Sequence, residues 1–172
     1  MTNGKPERRT GLGGSGRQVR WPAYAMAVLF LGYAVGKGLF AARGRLGFPG
    51  GPVVPASEYE RYARMGMDVE VVQWFGVPTG LLAAALVLVT VTAAGRRVPR
   101  PLVLLALAGM LAAVGAGAAF MVVDGFVGIG IGWQWYHGVL GIAVVGLLTA
   151  TIRSYARSSR PGAGRRAPVP GP

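Results

Sequence analysis

The chain has 172 residues, of which 52% are hydrophobic and 14% charged, with 18 basic side chains against 6 acidic ones and a net charge of +12. A soluble domain carries about a quarter charged residues, so this composition excludes an ordinary water-soluble domain and points to a small polytopic membrane protein. The absence of cysteine excludes a disulfide scaffold, a thiolate metal site and a cysteine nucleophile.

Residues 1–20 combine glycine, proline, serine and arginine with almost nothing to bury, and are predicted to be a disordered basic tail. A transmembrane domain over 21–153 follows. Crossing a hydrocarbon core of about 30 Å takes roughly 20 helical residues, and four segments meet that need, near 22–42, 71–94, 101–122 and 129–152. Between the first two lie the turn-rich GRLGFPGGPVVP and the polar SEYERYARMGMDVE. The second and third are joined by the basic GRRVPR, the third and fourth by a short acidic link at Asp124. Residues 154–172 form a second disordered basic tail. The fold class is therefore all-α, a four-transmembrane-helix bundle with a short external interfacial helix.

Positively charged flanks stay on the cytoplasmic side of a membrane. The N-terminal tail, the link holding Arg96, Arg97 and Arg100, and the C-terminal segment from Arg153 share one side and hold 13 of the 18 positive charges. On the other side Lys37, Arg43, Arg45, Arg61 and Arg64 are balanced by Glu58, Glu60, Asp68, Glu70 and Asp124. Both termini are thus expected in the cytosol, in the cell membrane. The competing reading of the first segment is a cleaved signal peptide, since Lys37 interrupts the apolar stretch after about 15 positions. No small-x-small site is well placed after it, which favours an uncleaved anchor. Nucleic-acid binding is not expected either, because the basic tails lack aromatic residues for base stacking and the cytoplasmic leaflet is itself anionic.

The external helix is predicted over about 58–65, with Ser57 as its cap and Glu60 reaching back to it. That register places Tyr59 and Tyr62 on one face and brings Glu58 to Arg61 and Glu60 to Arg64. Trp74, Phe75, Phe126, Trp133, Trp135 and Tyr136 belong to the same level, where tryptophan and tyrosine rings favour headgroup depth. Tyr59, Tyr62, Trp74, Trp133 and Trp135 are the candidate interfacial contacts.

Polar groups displaced into apolar spans carry more information, because an ionisable group in hydrocarbon must snorkel, pair or face water. Lys37 and Gln73 fall near the outer ends of the first and second spans, and Gln134 and His137 a turn or more into the fourth. With Glu70 and Asp124 at the rim, these six form a candidate external polar pocket if they point inward. The competing reading is a snorkelling Lys37 and a histidine hydrogen-bonded inside the bundle.

No metal is expected, since one histidine without a carboxylate at helical spacing cannot hold one. Ser57 and Ser154 lack a neighbouring base for nucleophilic catalysis. GIGIG (residues 128–132) and GRLGFPGGP read as turns, without the context of a nucleotide loop. In the third span Gly109, Ala113 and Gly117, and beside them Ala108, Ala112 and Ala116, recur every fourth position and are expected to make this helix the packing centre. Pro78 in the second span is a candidate kink.

The run YAVGKGLFAARGRLGFPGGP, Tyr33 to Pro52, resembles the end of the first helix in small actinobacterial four-helix integral membrane proteins of unknown function. Members have a lysine or histidine, then an aromatic, then a glycine-rich turn. Lys37, Phe40 and Gly44 to Gly51 match, with phenylalanine where tryptophan is expected. The resemblance implies the topology and supplies no activity.

The leading functional expectation is a non-enzymatic binding or accessory protein for a lipid, a small hydrophobic molecule or a membrane partner, with no cofactor. Its partners would be the bilayer and either another membrane protein or a second copy of itself. Two alternatives stand beside it. One is a membrane-embedded enzyme on a lipid or isoprenoid, with Glu70 or Asp124 as acid and His137 as base; the other is an oligomeric transport component.

Overall fold

A computed structural model describes residues 19–130 and 132–158, with the side chain of Arg96 left aside. The described residues are all-helical: α1 (Trp21–Ala41), α2 (Ala56–Arg64), α3 (Val69–Val89), a 3-10 turn at Ala93–Arg96, α4 (Arg100–Val127) and α5 (Trp135–Ser158). Four of them, α1, α3, α4 and α5, are long and apolar enough to cross a membrane, so the chain is a multi-pass membrane protein with one short extra helix, α2, between the first two spans. Of the two tails expected to be disordered, residues 1–18 and 159–172 lie outside the described residues; Val19 and Arg20 lead into α1, and 154–158 continue α5.

The helix ends differ from the hydropathy boundaries for local reasons. α3 stops at Val89, before the predicted 94, where the Thr90 hydroxyl donates to the Val87 carbonyl at 2.6 Å and the chain turns. α4 runs on to Val127, past the predicted 122, and ends on Gly128, whose left-handed φ of 73° closes the helix. Asp124 is therefore in the last turn of a helix and not in a link. α5 starts at Trp135, six residues later than expected, because residues 128–130 and 132–134 are not helical. Gln134 thus precedes α5 and His137 sits in its first turn.

α1 packs along α3 and α4 along α5; the two pairs meet through α1 and α5, and α3 touches α4 only slightly. The buried apolar core comprises Met26, Ala27 and Phe30 of α1, Ala84 and Val87 of α3, Val103 and Leu107 of α4, and Leu148 and Tyr155 of α5. These positions all lie in the half of the bundle remote from the loop between α1 and α2. The other half buries small apolar residues, Ala34, Ala41 and Ala118, together with the polar Gln73, Asp124 and His137.

The small-residue expectation needs correcting. Gly109, Gly115 and Gly117 of α4 have nothing within 4 Å of a position a Cβ would take, and Ala108, Ala112, Ala113 and Ala116 are exposed. α4 is not the packing centre; its small-residue face points outward. Close approach occurs instead on α3, where Gly76, Gly80 and Ala84 also recur every fourth position. A Cβ on Gly80 would stand 2.9 Å from the Ala34 Cβ and the Phe30 carbonyl oxygen, and one on Gly76 would stand 2.7 Å from Lys37 Cγ. A pattern of small residues permits close packing, but lipid tails are as apolar as leucine, so the pattern does not say which stripe meets a neighbour.

Candidate functional site

The end of the bundle where α1 passes into α2 is organised around the loop of residues 42–55. Lys37, near the end of α1, donates to the Oε1 of Gln73 at 2.8 Å and to the Gly47 carbonyl at 3.2 Å. The Gln73 amide nitrogen in turn donates to the carbonyls of Arg45 and Gly47, at 2.8 and 3.1 Å. Gln73 is 2% exposed. A buried amide costs stability unless both its ends are used, and here the loop carbonyls use one end and the ammonium the other. The Tyr59 hydroxyl accepts from the Leu46 N–H at 3.0 Å, which brings α2 onto the same loop.

A second cluster forms where α4 passes into α5. Asp124, 2% exposed, accepts the N–H groups of Gly130 at 2.7 Å and of Gly132 and Trp133 at 3.0 Å each. A carboxylate at a helix C-terminus faces the negative end of the helix dipole. The loop offsets this by wrapping its own N–H groups around the anion. Gly130 is required for the wrap, since a Cβ there would stand 2.6 Å from Asp124 Cγ.

His137 occupies the third position of α5. The Gln134 N–H donates to its Nδ1 at 3.1 Å, the backward half of a capping box with imidazole in place of glutamate. With Nδ1 accepting, the ring proton is assigned to Nε2, which donates to the Gly50 carbonyl at 2.8 Å. Trp133 stands edge-on to this ring, with centroids 4.7 Å apart, and lies against Gly51. Its buried Nε1 has no acceptor among the described residues.

The six pocket candidates therefore do not share one cavity. Lys37 and Gln73 meet directly; Asp124, Gln134 and His137 gather around residues 130–134, with the Gln134 side chain exposed; Glu70 is exposed and outside both groups. The two groups communicate through one loop, held at Gly47 from one side and Gly50 from the other. The imidazole uses both nitrogens and Asp124 holds three backbone N–H groups, so in this geometry both side chains are engaged in holding loops.

Among the interfacial candidates, Trp74 and Trp135 are 49% and 64% exposed. Tyr59 and Trp133 are tied inward instead. The ion pairs Glu58–Arg61 and Glu60–Arg64 form as the spacing predicts. The Ser57 cap does not: α2 begins at Ala56 after Pro55, without a side-chain cap, and Glu60 is engaged with Arg64.

Sequence reasoning missed a cleft of about 510 Å³ between α1, α2 and α3. Tyr33, Lys37, Tyr62, Phe75 and Thr79 are among its walls, and the Lys37 ammonium lies 5.8 Å from the centroid of the Tyr33 ring. The paired tyrosine face of α2 and the displaced Lys37 were the available signals; only the packing of α2 over α1 and α3 joins them. Among the described residues no carboxylate ion-pairs with Lys37, and none forms a cluster of metal ligands. No family model matches the chain, and comparisons with curated proteins and with solved structures found no match.

Proposed function

We propose that this chain is a non-enzymatic binding protein of the cytoplasmic membrane, with both termini in the cytosol, that holds an amphiphile with an anionic head in the cleft between α1, α2 and α3. One observation carries the reading: a half-buried ammonium, Lys37, borders an open cleft with neutral hydrogen-bond partners, while the carboxylate in the lining, Glu58, is paired with Arg61. Gln73 and Gly47 take two of its three N–H groups and neither neutralises its charge. A buried charge without a counter-ion is costly, and an incoming carboxylate or phosphate relieves that cost. Tyr33, Phe75 and Tyr62 supply apolar walls for the tail beside it.

The orientation rests on the arginine bias of the tails and of the link before α4. Reporter fusions at both termini test it; termini on opposite sides would overturn it.

The binding reading is tested on the full chain in neutral detergent, by titration with a long-chain fatty acid and with the alcohol of the same length. The acid is expected to bind about tenfold tighter, the order of a charge pair in a partly desolvated site. Lys37→Met should remove the difference. Thr79→Phe, which fills the cleft and leaves the Lys37–Gln73 contact intact, should remove binding of both. Equal affinity for acid and alcohol in the unmodified protein would refute the reading.

A further inference from the structure

The cleft between α1, α2 and α3 is walled by two cations, Lys37 of α1 and Arg61 of α2, and by one carboxylate, Glu58 of α2. The two cations are not equivalent. The Arg61 guanidinium donates through Nη2 to Glu58 Oε2 at 2.5 Å and stands 5.9 Å from the centroid of the Tyr62 ring, another wall of the cleft. Lys37 donates to two neutral oxygens, Gln73 Oε1 and the Gly47 carbonyl.

The helical register of α2 explains the pairing. Residues three apart share one face of a helix, and the face that carries Glu58, Arg61 and Tyr62 is the one turned to the cleft. Glu60 and Arg64, the other ion pair of α2, are not among the walls. α2 thus presents a guanidinium already matched by its own carboxylate, and α1 an ammonium held by dipoles alone.

We infer that the Glu58–Arg61 pair sets the charge of the head group: the cleft takes an amphiphile with a singly charged head, such as a carboxylate or a sulfonate, in preference to one with a doubly charged phosphate monoester. The inference rests on the amphiphile-binding reading above and narrows it. A single negative charge is met by Lys37 and leaves the pair on α2 intact. A phosphate monoester carries about −1.5 to −2 at neutral pH. Its second charge must draw Arg61 away from Glu58 or stay unmatched in a partly desolvated cleft. In the first case the released carboxylate shares the cleft with the anion and repels it, so the pair discriminates by an unfavourable contact with the wrong head.

The test is calorimetric titration of the full chain in neutral detergent at about pH 8, above the second phosphate pKa of about 6. The probes are lauric acid, lauryl sulfonate, lauryl phosphate and lauryl alcohol. The sulfonate has the tetrahedral shape of a phosphate and the charge of a carboxylate, so it separates charge from shape. Acid and sulfonate should bind within about threefold of each other, and the phosphate about fivefold more weakly, the order of one partly exposed charge pair. Glu58→Gln frees Arg61 and should bring the phosphate to at least the affinity of the acid. The Glu58 and Arg61 side chains are 35% and 58% exposed, so the substitution should leave the fold intact. Glu60→Gln removes the same charge from α2 outside the cleft and should leave the order of the probes unchanged. Phosphate binding as tightly as the acid in the native chain, or equal gains from Glu58→Gln and Glu60→Gln, would overturn the inference. Sulfonate as weak as phosphate would overturn it too, by assigning the discrimination to shape. In each of these outcomes acid binding tighter than alcohol leaves the broader reading standing, whereas equal binding of acid and alcohol removes both.

Discussion

Gln73 and Lys37 stand 2.8 Å apart on adjacent helices and grip the same carbonyl, that of Gly47. The contact joins α1, α3 and the loop between α1 and α2 at one point. Its amide also serves Arg45, so one side chain 2% exposed holds the loop and the ammonium together. Gln73→Leu keeps the volume and removes the three bonds that Gln73 makes, leaving Lys37 with the Gly47 carbonyl alone. It should cost about 2–4 kcal/mol, from unpaired buried groups. Gln73→Glu gains an ion pair with Lys37 but turns a carboxylate oxygen toward the two carbonyls, and should also be less stable than the native chain. Thermal unfolding in detergent, with proteolysis of residues 43–55 as a local readout, checks both.

Asp124→Ala should lower stability by about 3 kcal/mol or more, because at least three backbone N–H groups lose a charged acceptor. Asp124→Asn keeps one carbonyl oxygen and should lose roughly half as much. The same unfolding assay separates them, and equal stability of the Ala variant and the native chain would contradict the wrapped-carboxylate arrangement.

Glycine substitutions should divide by location. Gly80→Ala forces a methyl against Ala34 and the Phe30 carbonyl, and Gly130→Ala forces one against Asp124, so each should cost about 1–3 kcal/mol. Gly115→Ala and Gly109→Ala point into open space and should be neutral or stabilising by up to about 1 kcal/mol through helix propensity. Parallel melting curves of Gly80→Ala against Gly109→Ala and Gly115→Ala check that the α3 stripe, and not the Gly109–Gly117 stripe of α4, makes a close helix contact.

Trp133→Phe removes a buried N–H that has no acceptor among the described residues while keeping most of the ring against His137 and Gly51. Its stability should fall by less than about 1 kcal/mol, since the lost packing is offset by removal of an unsatisfied donor. His137→Phe, of similar shape, leaves the Gly50 carbonyl and the Gln134 N–H without their partner and should cost about 2 kcal/mol or more. A larger loss in the tryptophan variant than in the histidine variant would contradict the assigned bonding.

Membrane character, the number of spans and the concentration of polar residues at one end were all legible before any coordinates. Each is a sum over neighbouring residues: about twenty apolar positions suffice to cross a bilayer whatever surrounds them, and the excess of arginine on one side is a matter of counting. The pairs Glu58–Arg61 and Glu60–Arg64 were legible for the same reason, since both partners lie on one helix turn. Tertiary structure alone decided which small stripe meets a neighbour. Gly76, Gly80 and Ala84 and the α4 series have the same spacing, and hydrocarbon does not distinguish a lipid from a leucine. It also decided the partners of Lys37, Gln73, Asp124 and His137, which beyond the Lys37–Gln73 contact itself include backbone groups of two loops. A carbonyl or N–H is present at every position of a chain, so only the path of those loops could determine which ones these side chains hold.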